Sequence, residues 1–180
     1  MKNVILCACA SAMFLLSGCD KLKEQRYSTT ILSNFNVSVS DNSGALDVDV
    51  NQTLSSLINA ALAEHKDDIQ SYELVQIKYK VWEYSGDASA TFSGNLGIGN
   101  MSATLPGVSY EFSDISLKAG VDDPAQVLMS FTSSEIDKIE QYFLDTDGLK
   151  LFLSGNVSHA PMTFLLQVQV DIDAITKESK

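Results

Sequence analysis

Strict alternation of apolar and polar residues governs most of this chain. It is clearest near the end, where Phe164, Leu166, Val168, Val170 and Ile172 alternate with Leu165, Gln167, Gln169, Asp171 and Asp173. Period two puts five large side chains on one face of an extended strand, whereas a helix would scatter them round its circumference. A second run from Glu73 to Tyr84 sets Val75, Ile77, Tyr79 and Val81 against Gln76, Lys78, Lys80, Trp82 and Tyr84. Shorter runs follow the same rule: 28–40 with Ile31, Phe35, Val37 and Val39, 45–50 with Leu46, Val48 and Val50, and 90–98 with Phe92, Leu96 and Ile98. Leu149, Leu151, Leu153 and Val157 make another, and 108–118 and 125–131 complete the set. Asp41-Asn42-Ser43-Gly44 and Ser85-Gly86-Asp87 are turn-forming stretches between them. The spacing predicts two antiparallel hairpins, 73–84 with 90–98 and 149–157 with 164–172. The apolar parity of 108–118 slips between Phe112 and Ile115, which predicts a bulge near Ser113 and Asp114.

Two stretches carry the helical period instead. Leu54, Leu57, Ile58, Ala61 and Leu62 form one apolar stripe and predict a helix over 52–66, with Asn51 as its cap. Thr132-Ser133-Ser134-Glu135 fits a capping box, with Phe131 and Ile136 at the two staple positions and Asp147-Gly148 as the stop. Seven or eight strands without regular strand–helix alternation argue against a parallel sheet. The expected class is therefore mainly β: an antiparallel β-sandwich, immunoglobulin-like or related, with two inserted short helices. The alternative is an α+β antiparallel sheet with both helices on one face.

The first nineteen residues follow different rules. Lys2 precedes an apolar run from Val4 to Leu16, closed by Leu16-Ser17-Gly18-Cys19. Spanning a bilayer takes about 20 apolar residues, so this run is a signal-peptide core. Its ending resembles the lipobox of bacterial lipoproteins. That resemblance implies that residues 1–18 are removed and that Cys19 becomes the lipidated N-terminus, acylated with palmitate-type chains. Residues 19–27 would then be the lipidated Cys and a short tether, with five charges between Asp20 and Arg26. Residues 28–180 would be a single β-rich domain. The implied place is the bacterial cell envelope, lipid-anchored on the periplasmic side. Asp20 after the Cys resembles an inner-membrane retention signal, which Lys21 weakens, so the inner membrane is favoured over the outer.

Charge and cysteines bound the partners. The 180 residues carry a formal net charge of −11, and loss of Lys2 with the signal would make it −12. Phosphate backbones repel such a chain, so nucleic acid is not an expected partner. Anionic headgroups repel it too, so the membrane contact expected is the lipid itself. Cys7 and Cys9 would leave with the signal, so Cys19 stays alone and no disulfide is expected. A soluble monomeric domain is expected.

Motifs for chemistry are sparse. His65 ends one stretch and His159 lies in a turn, and neither belongs to a serine-hydrolase signature. Gly94 to Gly99 is glycine-rich but has no helix after it, which a dinucleotide site needs. Asp145-Thr146-Asp147-Gly148 resembles the start of an EF-hand loop without its third ligand or distal Glu. Asp145 and Asp147 are therefore weak metal candidates, Asp122 and Asp123 weaker still, and neither metal nor cofactor is expected. The chain reads as a noncatalytic binding or scaffold module whose partner is an envelope protein. The alternative is a small-ligand or glycan binder, less readily a hydrolase, using Trp82 and Tyr84 as a stacking platform.

Overall fold

The computed structural model describes residues 24–40, 48–56, 60–123 and 125–177. Eight strands, β1 (Glu24–Val39), β2 (Val48–Ser55), β3 (Ile69–Ser85), β4 (Thr91–Asn100), β5 (Val108–Ser116), β6 (Val127–Leu128), β7 (Gly148–Val157) and β8 (Met162–Lys177), form two antiparallel four-stranded sheets. The first has the order β1-β8-β3-β6 and the second β2-β7-β4-β5. Among the described residues three α-helices lie between the strands: α1 (Ala60–Glu64), α2 (Leu117–Asp122) and α3 (Ser133–Thr146). The architecture is the antiparallel β-sandwich expected from the alternation.

Its strand order has a simple logic. β1 pairs with β8, β2 with β7, β3 with β6 and β4 with β5. The chain is thus one long two-stranded ribbon rolled up so that successive pairs fall in alternate sheets, the jelly-roll form of a sandwich. Both predicted hairpins are corrected by this order. β3 and β4 lie in different sheets, and so do β7 and β8. Alternation determines which face of a strand turns inward and leaves the choice of neighbour open. Among the described strands, β4 and β5 are the consecutive pair that does form a hairpin.

The predicted helix over 52–66 is also corrected. Gln52 to Ser55 finish β2, with Leu54 buried and opposite Leu149 of β7. Among the described residues of that stretch, the α-helical ones are Ala60–Glu64, followed by a 3-10 turn at Lys66–Asp68. Leu54 and Leu62 reach the core from two different elements, so a shared apolar stripe did not require a single helix. Residues 41–47, which include the expected turn at 41–44, lie outside the described residues, as does Cys19. The expected tether is shorter than 19–27, because Glu24 to Tyr27 already pair with Ala174 to Lys177. Arg26 secures that end, its guanidinium hydrogen-bonded to Glu73 and, at 2.8 Å, to Asp173.

The core lies between the sheets. Phe35, Ile77, Val81, Leu166, Val168 and Val170 come from the first sheet, and Phe92, Leu96, Ile98, Leu151 and Leu153 from the second. The bulge expected in β5 is present: the register with β4 shifts between Phe92↔Ile115 and Gly94↔Phe112. Asp114 there adopts a φ of 49° and is tied to Ser93, a conformation Asp tolerates better than most residues.

Helix α3 packs on both β3 and β7 and buries Ile139 and Phe143. Its start is the one expected. Thr132 accepts from the Glu135 amide, and the Thr132 amide donates to the Glu135 carboxylate at 2.8 Å. These two bonds satisfy amides that have no partner inside the helix. Thr132→Ala is expected to lower stability by about 1 kcal/mol, the usual effect of losing such a cap. Denaturant melts of the two proteins measure it, and coincident curves would mean that the cap contributes nothing.

Candidate functional site on the outer face of the first sheet

β8 lies between β1 and β3, so its outward residues are flanked on both sides. Gln167 is opposite Asn34 and Lys80, Gln169 opposite Leu32 and Lys78, and Asp171 opposite Thr30 and Gln76. The side chains of these rows are tied together. Asp171 accepts from Thr30 and Gln76, each at 2.6 Å, and from Gln169 at 3.0 Å. Gln126, on the segment leading into β6, donates to Gln169 at 3.0 Å. One carboxylate thus organises the middle of the sheet's outer face.

Partial burial pushes the Asp171 pKa up, but the hydrogen bonds from Thr30, Gln169 and Gln76 and the nearby Lys78 charge outweigh it. The net direction is down from the ordinary 3.8. A carboxylate with a depressed folded-state pKa contributes stability above its unfolded value and loses that contribution as pH falls through the folded one. The wild type should therefore lose stability as pH drops below 3.8, and Asp171→Asn should lose less over the same range. Denaturant midpoints measured across that acid range test this. Parallel profiles would remove Asp171 from the account.

Beyond Gln167 the face changes character. The β3–β8 register slips between Val81↔Leu166 and Glu83↔Leu165, so Trp82 and Glu83 together stand opposite the one residue Leu165. This is a bulge, and it re-aims the side chains on either side of it. Trp82 and Glu83 are both exposed, while Tyr84 packs against the core and donates its hydroxyl to the Asp87 carbonyl at 2.5 Å. Trp82 and Tyr84, expected to form one platform, therefore do not share a face. Burial raises the Tyr84 pKa, and Asp87 adds to it.

Trp82 is fixed from two directions. Its indole Nε1 donates to Gln167 at 2.8 Å, and Gln167 in turn donates to Asn34 at 3.0 Å. The buried Lys80 puts its ammonium 3.6 Å from the ring centroid, a cation–π contact that occupies one ring face. Even so, 47% of Trp82 is exposed. At this end of the face is a depression of about 180 Å³ lined by Asn36, Ser38, Glu83, Thr163 and Leu165 among others, and Glu83 is the chain neighbour of Trp82. A larger open groove of about 570 Å³ shares Ser38 and Thr163 with it and runs over Val39, Gly86 and Pro161 at the same end of the sandwich.

The other candidates are dispersed. The Asp145 carboxylate accepts from Gln141 at 2.6 Å. Asp147 is the left-handed cap of α3, and its carbonyl accepts from Ser56. Asp122 pairs with Lys118 within α2, and the Asp123 carboxylate accepts from the Ala125 amide. Among the described residues, no group of three or more His, Cys, Asp or Glu is placed to hold a metal ion. His65 stacks on Tyr27 at 5.0 Å, and His159 lies beside Ser158, whose hydroxyl accepts from the Thr91 amide. The two histidines thus serve different loops. No helix among the described residues is long and apolar enough to cross a membrane.

Sequence reasoning missed Asn36, Glu83 and Leu165 as members of the Trp82 surface. One signal was present. Continuing the inward series Ile77, Tyr79, Val81 places Glu83 in the core, and a charged residue at that point marks a break in register.

No family model matches the chain, and no curated protein matches it. Solved structures similar to it include a chain of Desmodium yellow mottle tymovirus, 14% identical with a TM-score of 0.38, covering 100% of this chain and 98% of that one. Turnip yellow mosaic virus gives 11% identity and a TM-score of 0.37 over 86% of this chain and 97% of the other. A virus-like particle of the Macrobrachium rosenbergii nodavirus gives 8% and 0.37, over 100% and 96%.

Proposed function

We propose that this chain is a noncatalytic binding module of the bacterial envelope, anchored by lipid on Cys19 and facing the periplasm, with the inner membrane as the favoured site. The observation that carries the reading is the apolar run closed by Leu16-Ser17-Gly18-Cys19, five residues before β1 begins at Glu24. So short a link would hold the sandwich against one membrane and raise its effective concentration toward anything bound there, which favours a weak binding surface. Two occupants suit such a module: an envelope protein and a small ligand or glycan. The fixed, half-exposed Trp82 at the end of the sheet that carries the depression lined by Asn36, Glu83 and Leu165 favours the second.

The test of placement is fractionation of cells that express the full chain. Wild-type protein should sediment with membranes, resist extraction by salt, dissolve in detergent, and be cut by protease added to spheroplasts. Recovery in the soluble fraction, or protection from that protease, would defeat the proposal.

A further inference from the structure

We infer that the bulged end of the first sheet's outer face, built on Trp82 with Asn36, Glu83, Leu165 and Gln167, is a binding site for a neutral saccharide. The inference rests on the reading of the domain as a binding module and names the chemistry of its ligand.

The case begins with the indole. An exposed Trp on a strand gains little for the fold, but this one is held by a hydrogen bond at its edge and a cation on one face. Its orientation is therefore set before any ligand arrives, which reduces the ordering that binding requires. With 47% of Trp82 exposed, indole surface remains for a partner. A pyranose presents a flat face of C–H groups and a rim of hydroxyls. The C–H face suits an aromatic surface rich in π-electrons, and the rim needs planar groups that both donate and accept.

Those groups lie alongside. Asn36 and Glu83 line the adjoining depression, and neither side chain has a hydrogen-bond partner among the described residues. Asn36 supplies both donors and acceptors, Glu83 supplies acceptors, and Leu165 gives the floor an apolar patch. The bulge brings Trp82 and Glu83 to the surface side by side, which regular pleating would prevent.

Charge narrows the class. The Glu83 carboxylate and a net charge of −11 disfavour an anionic ligand. Lys80 already occupies one indole face, so a cage of the kind that binds organic cations is not formed. Position agrees with a ligand held away from the membrane. Asn36 lies twelve residues along β1 from Glu24, or about 40 Å at the usual rise per residue.

Trp82 is the one tryptophan of the sequence, so its fluorescence reports this site alone. The full chain, purified in detergent, is titrated with chitotetraose, maltotetraose and cellotetraose. At least one should shift the emission to shorter wavelength and protect Trp82 from acrylamide, with a Kd of roughly millimolar or tighter. In calorimetry Trp82→Ala should weaken that sugar by at least about tenfold while circular dichroism stays unchanged. Trp82→Phe should recover part of the affinity, and Asn36→Ala and Glu83→Gln should each weaken binding several-fold. Silence with all three sugars, equal binding by Trp82→Ala, or capture of a protein by this face without any sugar response would overturn the assignment. Membrane attachment of the same preparation is read separately. A membrane-bound but sugar-silent chain defeats this site alone, and a sugar-binding but unanchored chain defeats the anchor alone.

Discussion

Phe92→Ala is expected to destabilise the sandwich by about 3–5 kcal/mol, the range for truncating a fully buried aromatic. Phe92 is 1% exposed and belongs to β4 of the second sheet. Its ring lies 5.7 Å from that of Phe112 in the same sheet and 5.6 Å from that of Phe164, which β8 sends in from the other. It is one of the side chains by which the two sheets meet. It also covers the place where Gly94 faces Gly155 across β4 and β7. A Cβ added at either glycine would come within 3 Å of the Phe92 ring as well as of the neighbouring backbone. The floor of the cavity left by Ala is therefore two paired strands, which cannot move in to fill it. Domains of this kind hold only about 5–15 kcal/mol in total, so the variant should unfold at a much lower denaturant concentration. Phe92→Leu should lose less. A midpoint for Phe92→Ala close to that of the wild type would mean that the sheets are held together elsewhere.

Much of this architecture was legible in the sequence, and what was legible was local. The capping box at Thr132 and Glu135 spans four residues, and no distant contact is needed to read it. The β5 bulge appeared as a parity slip between Phe112 and Ile115. The inward faces of β1 and β8 followed from alternation alone, but that of β3 did not: Val75, expected inward, is 57% exposed because the register with β8 shifts between Leu74 and Gln76. Long-range pairing was not legible. Leu54 near the end of the Val48–Ser55 segment suits a helix stripe, and pairing of Gln52 to Ser55 with β7, almost a hundred residues on, made that part strand. The same holds for the two expected hairpins, whose runs were right and whose partners were wrong. Glu24 to Tyr27 looked like a solvated tether because their charges satisfy solvent and strand alike. The ion pairs of Arg26 with Glu73 and Asp173 explain their order, and neither acid is near Arg26 in sequence. The candidate site falls between these cases. Trp82 was found as an aromatic on a polar face, but the bulge that removes Tyr84 and supplies Glu83 depends on the register with β8.

The largest effect of all is expected from Cys19→Ser. Acylation on sulfur needs a thiol, so the variant should carry no lipid, and processing that depends on the modified Cys should stop. Two acyl chains or more hold a protein stably on a bilayer where one holds it only marginally. Without them the unprocessed chain, of net charge −11, is repelled by anionic headgroups and keeps only its apolar run Val4 to Leu16 to hold it to the bilayer. The fold should be unaffected, because Cys19 precedes β1, whose first residue is Glu24. Binding at the Trp82 surface should survive in vitro, while any role that requires the lipid anchor and the processed chain should be lost in cells.

The measurement that bears most directly on the anchored-module account is incorporation of labelled palmitate in cells that express either form. The wild-type chain should take up label at Cys19 and migrate as the shorter, processed species, and Cys19→Ser should remain unlabelled and unprocessed. Equal labelling of the two forms, or no label in the wild type, would contradict it.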